Sequence, residues 1–73
     1  MKMGMATLQK EQMEDLYNLY ERKYWLCKNE RERALGGMEA LRHIARNFGY
    51  RFETKCVETV NGIPCSVYRL DEI

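Results

Sequence analysis

The sequence has one proline, one histidine and no apolar run approaching the roughly 20 residues that a membrane-spanning helix needs. Its first residues, Met1-Lys2-Met3-Gly4-Met5, carry a single lysine and lead into polar sequence, so they do not read as a signal peptide. The three cysteines, Cys27, Cys56 and Cys65, are an odd number without paired spacing. That pattern suits a reducing cytoplasm better than secretion, and a cytoplasmic location is expected. Low-complexity sequence is also absent. With 45% apolar and 32% charged residues, the composition is that of a folded domain.

Strong charge of either sign is missing too. The formal net charge is +1, unevenly spread: residues 1–27 carry four basic and four acidic side chains, residues 28–51 six and three, and residues 52–73 two and four. A middle segment at +3 is modest beside the uninterrupted basic footprint of a dedicated nucleic-acid binder. The 73 residues make one domain, 1–73, near the lower size limit for a self-sufficient core. Such a core rarely supplies more than about 3–5 kcal/mol, and small chains often add a disulfide, a metal or a second subunit.

What is present is a helical period. Met13, Tyr17, Tyr20, Tyr24, Cys27, Ala34, Met38, Leu41, Ala45 and Phe48 recur at steps of three and four, interrupted only by Arg31. Leu16, Leu19, Leu26, Leu35 and Ile44 widen this stripe to roughly half the helix circumference. The segment 7–48 is therefore read as helical, after a flexible N-terminus at 1–6. The unbroken register favours one continuous helix from about Thr7 to Phe48. Against it stand Gly36-Gly37, each costing about 1 kcal/mol relative to Ala within a helix, and Asn29 with Glu32, which has the form of a capping box. A helical hairpin broken at Asn29 or at the glycines is the other arrangement. Gly49 supplies a C-terminal cap, and Arg42, His43 and Arg46 complement the helix dipole.

From Tyr50 the period changes to two. Tyr50–Val60 and Ile63–Leu70 flank Asn61-Gly62, a strong type I′ turn signal, giving a β-hairpin over 50–70. This turn pairs Val60 with Ile63 and Thr59 with Pro64. It also places Phe52, Cys56 and Val60 on one face with Ile63, Cys65 and Val67, the face expected to lie on the helix. The fold class is α+β: a long N-terminal helix, or helical hairpin, followed by a C-terminal two-stranded antiparallel hairpin. A continuous helix of this length would be roughly 63 Å long, against a radius of gyration of about 11 Å for a compact chain of this size. One hairpin cannot cover such a stripe, so a homodimer is expected.

No constellation points to chemistry. Cys27, Cys56, Cys65 and His43 lack the short chelating pairs of a zinc site and read as buried structural thiols and a surface histidine, so neither a metal nor another cofactor is expected. A nucleophile needs a base beside it and a group to orient that base; His43 has neither at a suitable spacing, and an enzyme is not expected. Glu11, Glu14, Asp15, Glu21, Glu30, Glu32 and Glu39 read as a solvated helix face. Tyr17, Tyr20 and Tyr24 share one face, suited to core or to a subunit interface. Trp25 falls roughly 160° from the stripe centre, beside Arg22, and reads as the centre of a partner-binding surface.

The expected function is a non-enzymatic protein–protein interaction module. It would be a small dimeric adaptor or inhibitor of the kind bacteria and phages encode, for instance one acting on a host nucleic-acid machine. The alternative is a small DNA- or RNA-binding regulator using Lys28, Arg31, Arg42, Arg46 and Arg51.

Overall fold

A computed structural model of the chain describes residues 7–73, so the N-terminal segment 1–6 lies outside the described residues. Helix α1 (Thr7–Leu26) leads through a 3₁₀ turn (Lys28–Glu30) into α2 (Arg31–Asn47), followed by strands β1 (Tyr50–Val60) and β2 (Ile63–Glu72). The order is that of an α+β domain with two helices ahead of one antiparallel hairpin.

The continuous helix is not what forms. Cys27 leaves the helical region at φ −122° and ψ 89°, and the chain turns over Lys28–Glu30. The break falls beside Asn29, but the capping box does not: Glu30 holds the N-cap position and makes no side-chain cap bond. The stripe ran on across the turn because each helix buries its half of it against the other. Met13 packs with Ala45, Tyr17 with Met38 and Leu41, and Tyr24 meets Arg31, so the helices run antiparallel. The glycines do not break α2 either. A β-carbon on Gly37 would lie 2.5 Å from the Tyr20 ring, so glycine here lets that ring lie against the helix backbone.

α2 ends as the sequence suggests. Phe48 is its C-cap, its amide bonded to the Ala45 carbonyl, and Gly49 follows at φ +82°. The hairpin turns at Asn61 (φ 52°) and Gly62 (φ 79°), with Val60 opposite Ile63 and Thr59 opposite Pro64. A β-bulge between Thr54 and Cys56 then changes the strand register. It places Phe52 opposite Leu70 but Cys56 opposite Val67, on the other face of the ribbon, because each register step of one exchanges faces. The shared face expected for Phe52, Cys56, Val60, Ile63, Cys65 and Val67 is therefore divided. Phe52, Tyr68 and Leu70 take the core side, joining Tyr17, Met38, Leu41, Ala45 and Tyr50. The described radius of gyration is 12.8 Å, in a body measuring 45 × 23 × 19 Å.

Candidate functional site

The strand register fixes which β2 amides need a partner other than β1. With Val60–Ile63 as the hydrogen-bonded pair at the turn, the N–H groups of Ser66, Tyr68 and Leu70 point away from β1. Helix α1 lies along that edge and satisfies all three. Glu14 Oε2 accepts from the Leu70 amide at 2.7 Å, Asn18 Oδ1 from Tyr68 at 2.7 Å, and Glu21 Oε2 from Ser66 at 3.0 Å. Asn18 Nδ2 also donates to the Tyr68 carbonyl at 3.1 Å. The row 14–18–21 climbs α1 as 70–68–66 descends β2, so side chains of a helix take the place of a third strand. Pro64 is the next position out on β2 and has no N–H; the next in the helix row is Trp25, which has no acceptor. Glu14 and Glu21 are thus structural ligands of the sheet, correcting their reading as part of a solvated face, and Glu21 is buried.

Trp25 is 45% exposed, its indole N–H donated to Glu21 Oε2 at 3.2 Å and its ring edge-on to Tyr24 with centroids 4.9 Å apart. It is anchored rather than loose, and half its surface remains open. Arg22 lies at the surface, 3.7 Å from Glu58 of β1. The three tyrosines have separate fates. Tyr17 is only 3% exposed, stacked on Phe52 with centroids 3.8 Å apart and edge-on to Tyr68 at 4.9 Å. Tyr20 lies against Gly37. Tyr24 is half-buried under the Arg31 guanidinium, which also donates to its carbonyl at 3.2 Å. The shared tyrosine face is directed mainly into the monomer, against α2 and the sheet.

The basic residues divide into two groups. Arg42, Arg46 and Arg51 line one cleft of about 600 Å³, with Glu39, His43, Tyr50, Phe52 and Ile73 completing its wall. Arg42 Nη1 donates to the Tyr17 hydroxyl at 2.9 Å, and Arg51 pairs with Glu53. Lys28 and Arg31 do not join them: Arg31 lies about 16 Å from Arg42 along the helix axis, with Lys28 in the turn beyond it. Trp25, Arg22 and the arginine cleft likewise belong to different surfaces.

A further surface was not singled out in the sequence. Leu16 and Leu19 on α1, and Ile44 and Phe48 on α2, are 39–46% exposed. At 100° per residue, Leu16 and Leu19 oppose the Glu14–Asn18–Glu21 row, while Ile44 and Phe48 oppose Arg42 and Arg46. All four therefore lie on the side of the helical hairpin turned away from the sheet. Their steps of three and four were visible, but in the sequence they only widened the main stripe.

The expected burial of all three cysteines holds only for Cys65; Cys27 is exposed where α1 gives way to the turn, and Cys56 is exposed because the bulge carries it to the face opposite Phe52. Cys56 and Cys65 are diagonal across the ribbon, facing Val67 and Glu58 respectively. Among the described residues no three His, Cys, Asp or Glu side chains gather as a metal-ligand set, and no helix is long and apolar enough to cross a membrane. No protein-family model, curated protein or solved structure matches the chain.

Proposed function

We propose that this chain is a non-enzymatic protein–protein interaction module, a small adaptor or inhibitor that works as a homodimer in the cytoplasm. The observation that carries the reading is the half-exposure of Leu16 and Leu19 on α1 and of Ile44 and Phe48 on α2, which helical phase puts on the side of the hairpin turned from the sheet. Large apolar side chains left open on one side of a small domain suit an interaction site. The dimer surface expected at Tyr17, Tyr20 and Tyr24 moves to this face, because Tyr17 is spent inside the monomer.

A second copy suits the face in two ways. Along α1 the outer positions Gln12, Leu16, Leu19, Lys23 and Leu26 follow steps of four and three, the seam of a two-helix contact. Antiparallel packing centred on Leu19 sets Asp15 of each copy beside Lys23 of the other, so Lys23, which pairs with Glu30 within the monomer, gains a second carboxylate across the seam. Trp25 lies on the opposite side of α1, which leaves it open to a protein partner when the outer face is covered; Arg22, at the edge of the seam beside Leu19 and Leu26, would border the covered face. The exposed thiols of Cys27 and Cys56 are at home in a reducing compartment.

Sedimentation equilibrium at micromolar concentration tests the reading. The expected mass is twice the 8.7 kDa chain, and Leu19→Glu or Ile44→Glu should return it to the monomer value with the far-UV circular dichroism unchanged. A wild-type chain that sediments at 8.7 kDa refutes the dimer.

A further inference from the structure

The cleft at the end of α2 has no part in that reading and lies on the other side of the helical hairpin. Its arginines arrive from two directions. Arg42 and Arg46 are one helical turn apart on α2, about 6 Å along the axis, and Arg51 comes from β1 across the Gly49 bend. Complementing the helix dipole explains a positive charge in the last turn of α2. It does not explain Arg51, whose Nε is held by Glu53, nor why the Arg42 guanidinium, which also lines the cleft, donates one of its five N–H groups to the buried Tyr17 hydroxyl. Neither Arg42 nor Arg46 forms an ion pair among the described residues, although Arg22, Lys23, Arg51 and Arg69 all do. Among the described residues, Glu39 is the only acidic side chain in the wall. The volume of about 600 Å³ lies within the range of small-ligand sites.

We infer that this cleft binds a phosphate group, presented either by a free nucleotide or by the end of a nucleic-acid strand. A carboxylate is planar, and one guanidinium fork can satisfy its two oxygens. A tetrahedral phosphate monoester accepts donors from several sides at once, which suits forks reaching in from both the helix and the strand. Tyr50 and Phe52 give the wall an apolar part against which the organic portion of such a ligand can rest. A duplex fits less well, because Lys28 and Arg31 lie well outside the cleft and no continuous basic strip follows a groove.

The test is a ¹⁵N-resolved NMR titration of the full chain with three probes: adenosine monophosphate, a 5′-phosphorylated single-stranded oligothymidylate, and a hexaglutamate peptide. Saturable shifts are expected for the side-chain Nε–H groups of Arg42, Arg46 and Arg51 and for the amides of Tyr50–Phe52. Arg46→Gln should weaken binding by about tenfold, as the loss of a charge-assisted pair implies. Arg31→Gln should leave binding unchanged, and Arg46→Lys, which keeps the charge but not the fork, should fall between. Equal affinity for the two phosphates assigns the site to a free monoester, and tighter binding of the oligonucleotide assigns it to a strand end. Hexaglutamate binding as well as the phosphates, Arg31→Gln weakening binding as much as Arg46→Gln, or no saturable shift with either phosphate would each overturn the inference. Circular dichroism melting of each variant separates lost binding from lost fold. Because Leu16, Leu19, Ile44 and Phe48 are untouched, the result is independent of whether the chain dimerises.

Discussion

Gly36 and Gly37 are neighbours in one helix, yet replacing each by alanine should have different consequences. A β-carbon on Gly36 meets nothing within 4 Å. Gly36→Ala should therefore show only the helix-propensity gain, about 0.5–1 kcal/mol of added stability. The same gain applies at Gly37, but there the β-carbon would lie 2.5, 2.6 and 2.9 Å from three atoms of the Tyr20 ring. Tyr20 cannot swing away freely, since it packs on the cluster of Tyr17, Met38 and Leu41. Overpacking of this kind costs about 1–3 kcal/mol. The shared propensity gain cancels between the variants, so Gly37→Ala should be less stable than Gly36→Ala by about 1–3 kcal/mol, or roughly 4 °C or more in Tm. Urea melts of both variants at one chain concentration give the difference directly. Tyr20→Ala should abolish it in a double-mutant cycle, because the ring that causes the clash is gone. If the two glycine variants melt together, Tyr20 does not lie on Gly37 and the antiparallel packing of α1 on α2 is wrong.

Other consequences can be measured as directly. Ellman's reagent on the native chain should titrate Cys27 and Cys56 rapidly and Cys65 only on unfolding, since Cys65 is 1% exposed. The Tyr68 phenol is raised above its ordinary value of 10.0, by burial first and by the Glu21 carboxylate second. It should therefore ionise at higher pH than an exposed tyrosine in a spectroscopic titration. Because the folded state holds that proton more tightly than the unfolded state, the stability it contributes is present below pH 10 and declines as pH rises through the folded value. Asn61→Ala should destabilise the hairpin by roughly 1–2 kcal/mol in a urea melt, because a residue with a β-carbon and no local side-chain hydrogen bond is strained at φ 52°.

Much of the architecture was legible because local chemistry dictates it. Asn61-Gly62 specifies a turn whose two central residues take positive φ, and Gly49 specifies the end of α2; neither depends on what lies across the fold. The break between the helices was obscured by a real regularity: an apolar stripe continues through a turn when each helix needs the same stripe to face the other. The bulge at Thr54–Cys56 has no glycine or proline to announce it, so a strict period of two carried Cys56 to the wrong face. At the candidate sites, the residue types of the arginine cleft were legible but its membership was not. Arg51 reaches Arg42 and Arg46 through the bend at Gly49, whereas Arg31, on the same face of the helical pattern as they are, is remote in space.

The acidic row on α1 carries the last argument. Acidic side chains at helical spacing ordinarily face water, and Glu14 and Glu21 satisfy that pattern as well as Glu11 and Asp15 do. What separates them is the 14–18–21 spacing with Asn18 between, a row of acceptors at roughly the pitch of alternate amides along a strand. If the row replaces a third strand, its members should differ in a way that simple surface residues would not. Glu21→Gln keeps a side-chain oxygen for the Ser66 amide and the Trp25 indole and should cost little. Glu21→Ala leaves both donors without their acceptor and should cost about 1–3 kcal/mol. Asn18→Ala loses both a donor and an acceptor to Tyr68 and should cost at least as much, with faster hydrogen exchange at the Tyr68 amide. Asp15→Ala, one position from the row and exposed, is the control and should change monomer stability by no more than about 0.5 kcal/mol. Equal, small effects for Glu21→Ala, Asn18→Ala and Asp15→Ala would mean that the β2 edge is open to water and that α1 does not lie along it.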